Sequence, residues 1–324
     1  MSLKNFLEEA KKKDKIPLIV VLGPTAVGKS KLAIEICKKY GGEAVSADSM
    51  QVYKGLAVAT AKPSEEEMQG VKHHMLGFMD LNKNFNAYEY AKMVEKILED
   101  INERGLLPVL VGGTGLYIDS LLKGIKFTQD DTDLGLRAKL DEEAEKKGTA
   151  HLYEKLSRVD PEFALRLSPN DKKRIIRALE RYMTTGQTPG RLNIESQAGV
   201  GKYKPICIGL DFHDRQLLYN QINLRVDKMV EQGIFKEAAN FFNMPSKSKT
   251  ASQAIGVKEF FPYFEGRTSK EDCIENLKQA TRRYAKRQLT WFRKNKDIKW
   301  FYLDDFNSEK QLYSKVYTYL NTIS

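Results

Sequence analysis

The chain has 324 residues and a formal net charge of +10, with 41% hydrophobic and 30% charged residues. This balance is typical of a globular protein with a sizeable core, and it excludes a disordered or collagen-like chain. No stretch approaches the roughly 20 apolar residues of a membrane-spanning helix, so no membrane association is expected. The positive charge favours a polyanionic partner, most simply a nucleic acid.

Cysteine usage and the N-terminal segment indicate the compartment. The three cysteines, Cys37, Cys207 and Cys273, are far apart and lack metal-ligand spacing. This is typical of a reducing environment, so a cytoplasmic protein is expected. Residues 11–22 loosely mimic a signal peptide, but the apolar part is too short and leads directly into a glycine-rich motif.

That motif follows a short apolar run over residues 18–22, which predicts a buried parallel strand. The turn after it fits the P-loop pattern GxxxxGK(S/T). In such a loop backbone N–H groups cradle a phosphate, the lysine adds positive charge, and the hydroxyl can ligate Mg²⁺. The predicted phosphate-binding residues are Gly23, Pro24, Thr25, Ala26, Val27, Gly28, Lys29 and Ser30, with Ser30 as the metal ligand.

Alternating helices and strands follow the P-loop, as expected for a parallel α/β sheet. Asn86 precedes a long amphipathic pattern and is predicted to cap its helix. The predicted helices cover residues 31–40 and 87–104, and the predicted strands cover 43–46, 75–79 and 106–111.

Asp48 comes shortly after the strand predicted over residues 43–46. Ligands of parallel α/β sheets lie beyond the carboxyl ends of the strands, so Asp48 is expected to face the same crevice as Lys29. A carboxylate at this position also suits a helix cap or a turn. Both interpretations of Asp48 stay open.

The strand predicted over residues 106–111 ends in Gly112, Gly113 and Thr114. A P-loop ATPase usually has an acidic residue there, which holds the Mg²⁺ shell. The two glycines instead suggest close approach of a ligand to the backbone, and Thr114 can hydrogen-bond such a ligand. This departure weakens an ATPase interpretation.

Residues 127–200 interrupt the strand pattern with charged helical sequence and predict a helical insertion domain between core segments 1–126 and 201–324. The stretch 172–191 is strongly basic, and Arg174, Arg177 and Arg181 share one helix face. A basic helix face is either a nucleic-acid contact or an ordinary solvated surface.

The C-terminal part predicts strands over residues 206–210 and 299–303 and helices over 215–232 and 273–294, followed by a terminal helix. Residues 278–299 are also strongly basic, with like-charged pairs four residues apart that a bound anion would relieve. Tyr284, Trp291 and Phe292 lie among them, and these rings either pack in the core or stack on bases.

These patterns predict an α/β fold, with a P-loop NTPase-like parallel sheet flanked by helices and a helical insertion domain. A nucleoside or nucleotide kinase would explain the P-loop, Asp48 and the insertion as a lid. An NTP-switched RNA-binding protein would explain the charge. Neither accounts for every feature.

Six motifs in fixed order make the chain more specific. They are GPTAVGKS at 23–30, ADSMQVY at 47–53, TAKP at 60–63, GGTGLY at 112–117, RALE at 177–180 and KRQLTWFR at 286–293. In this combination the chain resembles the tRNA dimethylallyltransferase family, P-loop enzymes that prenylate the adenosine beside the anticodon. The resemblance covers about residues 16–305.

The resemblance implies that the P-loop holds the diphosphate of dimethylallyl diphosphate with Mg²⁺, rather than ATP. Adenosine 37 of the tRNA would be flipped into a channel and meet the prenyl donor there. Asp48 matches the family's general base for the adenine N6 amine, Thr114 matches a residue that contacts the base, and Arg225 lies where an arginine binds the diphosphate.

The resemblance also implies contacts to the anticodon stem-loop, and a monomer is expected. Lys173 replaces the glutamine usual in its motif, so a phosphate contact is expected there rather than a base contact. The implied tRNA-binding residues are Asp48, Ser49, Met50, Gln51, Thr114, Arg137, Lys173, Arg174, Ile175, Ile176, Arg177, Lys258, Lys286, Arg287 and Arg293.

Overall fold

The computed structural model describes residues 3–124, 133–196 and 201–322. The chain divides into two compact units. The first combines Met1–Leu122 with Gly201–Ser324, and the second is Lys123–Val200. We refer to them as the sheet unit and the helical unit.

The sheet unit contains a six-stranded sheet whose strand pairs are all parallel. The strand order is β3-β2-β4-β1-β5-β6. This confirms the predicted α/β fold class. The strands are β1 (Ile16–Leu22), β2 (Gly42–Ser46), β3 (His73–His74), β4 (Leu107–Gly112), β5 (Tyr203–Asp211) and β6 (Lys299–Tyr302).

Helices flank this sheet and build the helical unit. Before the helical unit the helices are α1 (Leu3–Lys12), α2 (Lys29–Tyr40), α3 (Glu65–Met68), α4 (Ala87–Glu103) and α5 (Gly115–Leu122). In the helical unit they are α6 (Leu134–Lys147), α7 (Thr149–Val159), α8 (Pro161–Ala164), α9 (Lys172–Thr185) and α10 (Pro189–Ser196). After it come α11 (Arg215–Glu231), α12 (Ile234–Phe242), α13 (Phe261–Phe264), α14 (Lys270–Phe292) and α15 (Glu309–Asn321), with 3₁₀ turns at Ala251–Gln253, Lys258–Phe260 and Leu303–Asp305. Within the described ranges, no helix is both long and apolar enough to cross a bilayer.

Strand β1 lies at the centre of the sheet, between β4 and β5. Every one of its residues is buried, which explains the continuous apolar run in the sequence. Since the strands are parallel, the segments that follow β1, β2, β4 and β5 all meet at the carboxyl edge of the sheet. That edge carries the P-loop, Asp48 and Thr114.

Local signals located α4 well but failed at the strand predicted before it. Asn86 caps α4 through a reciprocal pair of hydrogen bonds with Glu89, as its cap prediction requires. The strand predicted over 75–79 is wrong, because Met75 and Gly77 have φ of 66° and 59° and leave the extended conformation.

The helical unit has its own apolar core, formed by leucines, isoleucines and alanines of α6 to α9. A buried ion pair accompanies this core. Glu180 is fully buried, and Arg137 donates from Nε and Nη2 to its carboxylate at 2.8–3.0 Å. Arg177 adds a bond of 3.2 Å to the same group. The buried carboxylate is thereby neutralised, which its burial requires.

A second buried carboxylate, that of Glu43 on β2, links this strand to Arg104 and to His74 of β3. Glu43 is 7% exposed, and Arg104 donates to its two oxygens at 2.7 and 2.8 Å. The Nε2 atom of His74 lies 2.7 Å from Oε2. Hydrogen bonds from Arg104, outweighing the effect of burial, lower the pKa of Glu43 to about 2.

We expect Glu43→Gln to lower the free energy of unfolding by about 2 kcal/mol at pH 7, because it leaves a buried ion pair incomplete. The folded-state pKa lies below the unfolded value, so this stabilisation is present above pH 4.5 and is lost as the pH falls toward 2. Urea unfolding of both proteins between pH 7 and pH 3 measures the difference.

Asp100→Asn is the matched control, because Asp100 pairs with the same Arg104 but is 60% exposed. It should change stability much less. A pH-independent gap between wild type and Glu43→Gln would contradict the ion-pair explanation.

Candidate active site

A cavity of about 780 Å³ opens at the carboxyl edge of the sheet, within the sheet unit. Its walls bring together residues that are distant in sequence. Lys29 comes from the P-loop, Asp48 follows β2, Gly113 follows β4, Arg225 lies on α11 and Gln288 on α14. The cavity is therefore the candidate active site.

The P-loop presents the start of α2 to this cavity. Gly28 adopts φ 75° and ψ 19° at the N-cap and makes no side-chain cap. The amides of the first helical turn therefore remain available to an anion. Ala26 has φ 68°, a conformation that costs a non-glycine residue energy and is typical of functional loops.

Gly23 begins the loop at φ 142°, and a Cβ atom there would collide with the backbone carbonyl of Leu210. The first glycine of the motif is thus required by the close packing of β5 against the P-loop. This packing places the carboxyl end of β5 beside the loop.

Lys29 has no acidic partner at salt-bridge distance within the described residues. Its Nζ donates to the carbonyl of Pro24 at 2.5 Å, so the side chain folds back over the loop. Burial, and secondly the charge of Arg225, lower the pKa of Lys29 to about 7, while Asp48 opposes the shift. An anion in the cavity would relieve this unfavourable arrangement.

Arg225 is the second cation of the cavity. Its Nη2 donates to the carbonyl of Thr60 at 3.3 Å, which links α11 to the TAKP segment. Burial lowers the pKa of Arg225, although the carboxylates of Asp48 and Glu67 favour its charged form. Lys29 and Arg225 together give the cavity the positive potential that a diphosphate needs.

Asp48 faces the cavity and also shapes its own loop. Its Oδ1 atom accepts the backbone N–H groups of Met50 at 2.8 Å and Gln51 at 3.2 Å. Within the described residues, Oδ2 accepts no hydrogen bond. Both interpretations of Asp48 therefore have a structural basis, because one oxygen closes the turn and the other is free for a ligand.

Thr114 holds the same loop from the opposite side. Its Oγ1 accepts the backbone N–H of Ser49 at 3.1 Å, and its own N–H donates to the carbonyl of Ala47 at 3.1 Å. The side chain of Tyr284 lies beside those of Thr114 and Gln288. Burial and the nearby charge of Asp48 raise the pKa of Tyr284, so its hydroxyl stays neutral.

The glycines at the end of β4 pack closely against protein, and Gly112 and Gly113 also line the cavity, so ligand approach to their backbone stays a prediction. A Cβ atom on Gly112 would collide with the backbone of Ala47, and one on Gly113 with the amide of Gln288. One on Gly115 would collide with the indole of Trp291. These positions are small because two loops and a helix converge there.

Gln51 and Lys258, both predicted to contact tRNA, lie in the sheet unit. The amide of Gln51 donates to the carbonyls of Thr60 and Ala61 at 3.2 and 3.4 Å, so its side chain holds the TAKP segment. Lys258 begins a 3₁₀ turn and is half-buried.

The basic residues of α14 fall into two groups. Lys286 and Arg287 are exposed, and Arg287 lies 5.6 Å from the ring centre of Tyr284. Arg282, in contrast, donates to Asn223 at 2.7 Å. Arg293 follows the helix and pairs at 3.1 Å with Asp211, which is 1% exposed. The aromatic residues also divide, since Phe292 is buried and Trp291 donates to Asp119 at 3.2 Å.

In the helical unit, Lys173 and Arg174 are exposed on α9. Ile175 and Ile176 are 0% and 5% exposed within the apolar core of this unit, so their side chains are not accessible to tRNA. The predicted tRNA contact of these two side chains is therefore wrong. With about 3.6 residues per turn, residues two apart lie on opposite sides of a helix, so Ile175 and Ile176 are buried while Lys173 and Arg174 are exposed.

Sequence reasoning did not single out Gln288, and it named Tyr284 only as a ring that either packs in the core or stacks on bases. Gln288 and Tyr284 both line the cavity, and Gln288 lies inside the KRQLTWFR motif. A polar residue at a core-facing position of a basic helix is the signal that could have identified Gln288, because buried polar groups need hydrogen-bond partners. Its partners, however, lie far away in sequence.

Mg²⁺ fits the donors of the cavity only together with a phosphate ligand. The Ser30 hydroxyl lies at the cavity wall beside Lys29. Across the described part of the chain, no cluster of three or more histidine, cysteine or acidic residues could hold a metal. Mg²⁺ commonly keeps several waters and binds through one or two protein oxygens plus substrate phosphates, which suits this arrangement.

The chain is similar to known proteins over nearly its whole length. The model of the IPP transferase family matches residues 51–295. A tRNA dimethylallyltransferase of Caldanaerobacter subterraneus is 45% identical over 309 residues, which cover 94% of this chain and 98% of that protein.

Two solved structures are similar over nearly the whole chain. The tRNA isopentenylpyrophosphate transferase of Bacillus halodurans has a TM-score of 0.71 and 37% identity, and the match covers 94% of this chain and 96% of that one. A eukaryotic dimethylallyltransferase, described as acting on tRNA, has a TM-score of 0.78 and 29% identity, covering 95% and 81%. The chain therefore belongs to the IPP transferase family.

Proposed function

We propose that the protein transfers the dimethylallyl group of dimethylallyl diphosphate to N6 of adenosine 37 in tRNA. The products are N6-(dimethylallyl)adenosine and diphosphate. The observation that carries this proposal is the single cavity in which Lys29 and Arg225 form a cationic end and Asp48 supplies a carboxylate. Relatives named for this activity support it.

The reaction joins the adenine N6 nitrogen to C1 of the dimethylallyl group while the C1–O bond to the diphosphate breaks. The N6 amine is a poor nucleophile, so a carboxylate that accepts its proton assists the attack. Asp48 takes that role through Oδ2, while Oδ1 keeps its hydrogen bonds to the loop. Thr114 holds this loop, and Tyr284 forms part of the cavity wall beside the base.

Negative charge grows on the diphosphate as it leaves. Lys29, Arg225 and the amides at the start of α2 stabilise this charge, because they already point into the cavity before the reaction. Ser30 would hold Mg²⁺, which supplies further neutralisation of the leaving group. No phosphoryl group is transferred, so the acidic residue of a P-loop ATPase is not needed after β4.

A stacked base cannot reach an enclosed cavity, so the adenosine must be flipped out of the anticodon stem-loop. We propose that exposed cations bind the phosphates of this stem-loop. On α14 these are Lys286 and Arg287, and on α9 of the helical unit they are Lys173 and Arg174. The enzyme acts as a monomer in the cytoplasm, in keeping with its three free cysteines.

The direct experiment incubates the protein with unmodified tRNA, Mg²⁺ and labelled dimethylallyl diphosphate. Label should appear in N6-(dimethylallyl)adenosine after nuclease digestion. Label that never enters tRNA would contradict the proposal. The relatives do not favour a nucleotide kinase or an NTP-switched RNA-binding protein. Phosphorylation of a nucleoside by ATP would be evidence for the kinase.

We expect Asp48→Asn to slow single-turnover prenyl transfer by about 10²–10⁴-fold, because the amide cannot accept the proton. The loop should survive, since an asparagine Oδ1 still accepts the N–H groups of Met50 and Gln51. The measurement uses saturating tRNA and dimethylallyl diphosphate, and a melting curve confirms folding.

Asp214→Asn is the matched control. Asp214 also accepts a backbone N–H two residues later, from Gln216 at 2.8 Å, but it caps α11 away from the cavity. This control should transfer at the wild-type rate. A normal rate in Asp48→Asn as well would leave Asp48 with a purely structural role.

Removing both Lys286 and Arg287 by alanine substitution should flatten the salt dependence of tRNA binding. Each lost phosphate contact lowers the slope of log affinity against log salt by roughly 0.7 to 0.9. The control is the alanine pair at Lys310 and Lys315, which removes two exposed cations from the region of α15. Equal slopes for the two double variants would show that α14 does not contact tRNA phosphates.

A further inference from the structure

The side-chain amide of Gln288 bridges two motifs of the active site. Gln288 is 5% exposed on α14. Its Oε1 accepts the backbone N–H of Thr25 in the P-loop at 2.9 Å, and its Nε2 donates to the carbonyl of Gly113 after β4 at 2.9 Å. These bonds span 263 and 175 residues of sequence.

The residues around this amide leave space for it. A side chain at position 113 would occupy the place of Gln288 Nε2, so the glycine is needed for the bridge to form. The donated Thr25 N–H is also no longer available to a phosphate, although Thr25 belongs to the predicted phosphate cradle. Gln288 therefore serves the P-loop as a support rather than as a ligand contact.

Helix α14 holds the other half of the site in a similar way. One turn earlier, Tyr284 lies beside Thr114 and Gln288. Thr114 in turn binds the N–H of Ser49, next to Asp48. The buried face of α14 thus contacts the P-loop, which carries Lys29, and the residue that holds the Asp48 loop.

We propose that Gln288 is a positioning residue for prenyl transfer, whose amide sets the P-loop at a fixed distance from the Asp48 loop. This inference rests on the proposed function. Transfer requires C1 of the donor to lie within near-attack distance of N6, and a displacement of about 1 Å can cost roughly 10²-fold in rate. Gln288 supplies the rigid link between the donor and acceptor halves of the cavity.

The decisive variant is Gln288→Glu. An ionised carboxylate can accept the N–H of Thr25 but cannot donate to the carbonyl of Gly113. Its negative charge is also repelled by the partial negative charge of that carbonyl oxygen. A protonated carboxyl restores both bonds. At pH 8 we therefore expect Gln288→Glu to bind inorganic diphosphate at least tenfold more weakly than wild type and to transfer about 10²-fold more slowly.

At pH 5.5, both the affinity of Gln288→Glu for inorganic diphosphate and its rate of transfer should lie within about threefold of the wild-type values. Lys29, Asp48, Arg225 and Tyr284 share the cavity with residue 288. Expressing each value as a ratio to wild type at the same pH cancels the change in charge of Lys29, whose pKa is lowered to about 7. The matched control is Gln279→Glu, the same change at an exposed position of α14, which should stay at wild-type level throughout.

Gln288→Met keeps the volume, removes both hydrogen bonds and adds no charge. It should weaken inorganic diphosphate binding about tenfold by calorimetry at every pH, with tRNA affinity unchanged. Wild-type diphosphate affinity in Gln288→Met would overturn the proposal, and so would a deficit of Gln288→Glu that does not depend on pH. These binding measurements require no prenyl transfer, so they remain informative if the proposed function fails in the wild-type assay.

Discussion

At the carboxyl edge of the sheet, segments approach so closely that a Cβ atom would collide with backbone at Gly23 and Gly112 and with the Gln288 side chain at Gly113. This contact between loops determines the site. It places the P-loop against β5, the strand end of β4 against the Asp48 loop, and both next to α14. The cavity lies where these segments meet, so the backbone that carries Lys29 and Asp48 is fixed by this packing together with the Gln288 bridge.

The electrostatics of the cavity favour the binding of an anion. Lys29 and Arg225 are both buried enough for their pKa values to fall, and the charge of Arg225 further disfavours the charged form of Lys29. A folded protein accepts such an arrangement where function requires it, as is usual at active sites. Under the proposed function, the same two cations would stabilise a diphosphate as it leaves.

Helix α14 has two roles on opposite faces. Its buried face carries Tyr284 and Gln288, which hold the loops of the site. Its exposed face carries Lys286 and Arg287, which are free to contact a polyanion. A basic residue in the sequence does not reveal which face it occupies, and Arg282 is an example because Asn223 already binds it. Burial separates the supporting residues from the binding residues.

Much of the architecture could be predicted from local sequence. Continuous apolar runs identified β1 and β4, the P-loop pattern identified the start of α2, and Asn86 identified the start of α4. These features depend on residues close together in the chain, so a short window contains the information. The order of the motifs was also sufficient to recognise the family.

Only the tertiary structure decided the roles of individual site residues. The strand expected over 75–79 is broken by backbone conformations that no pattern signalled, and Ile175 and Ile176 are buried because their helix packs inward. Gln288 bonds Thr25 across 263 residues, and Arg225 bonds Thr60 across 165. Sequence by itself determined which motifs and elements are present. Which side chains meet depends on the packing of the whole sheet unit, because a hydrogen bond between distant residues leaves no local pattern.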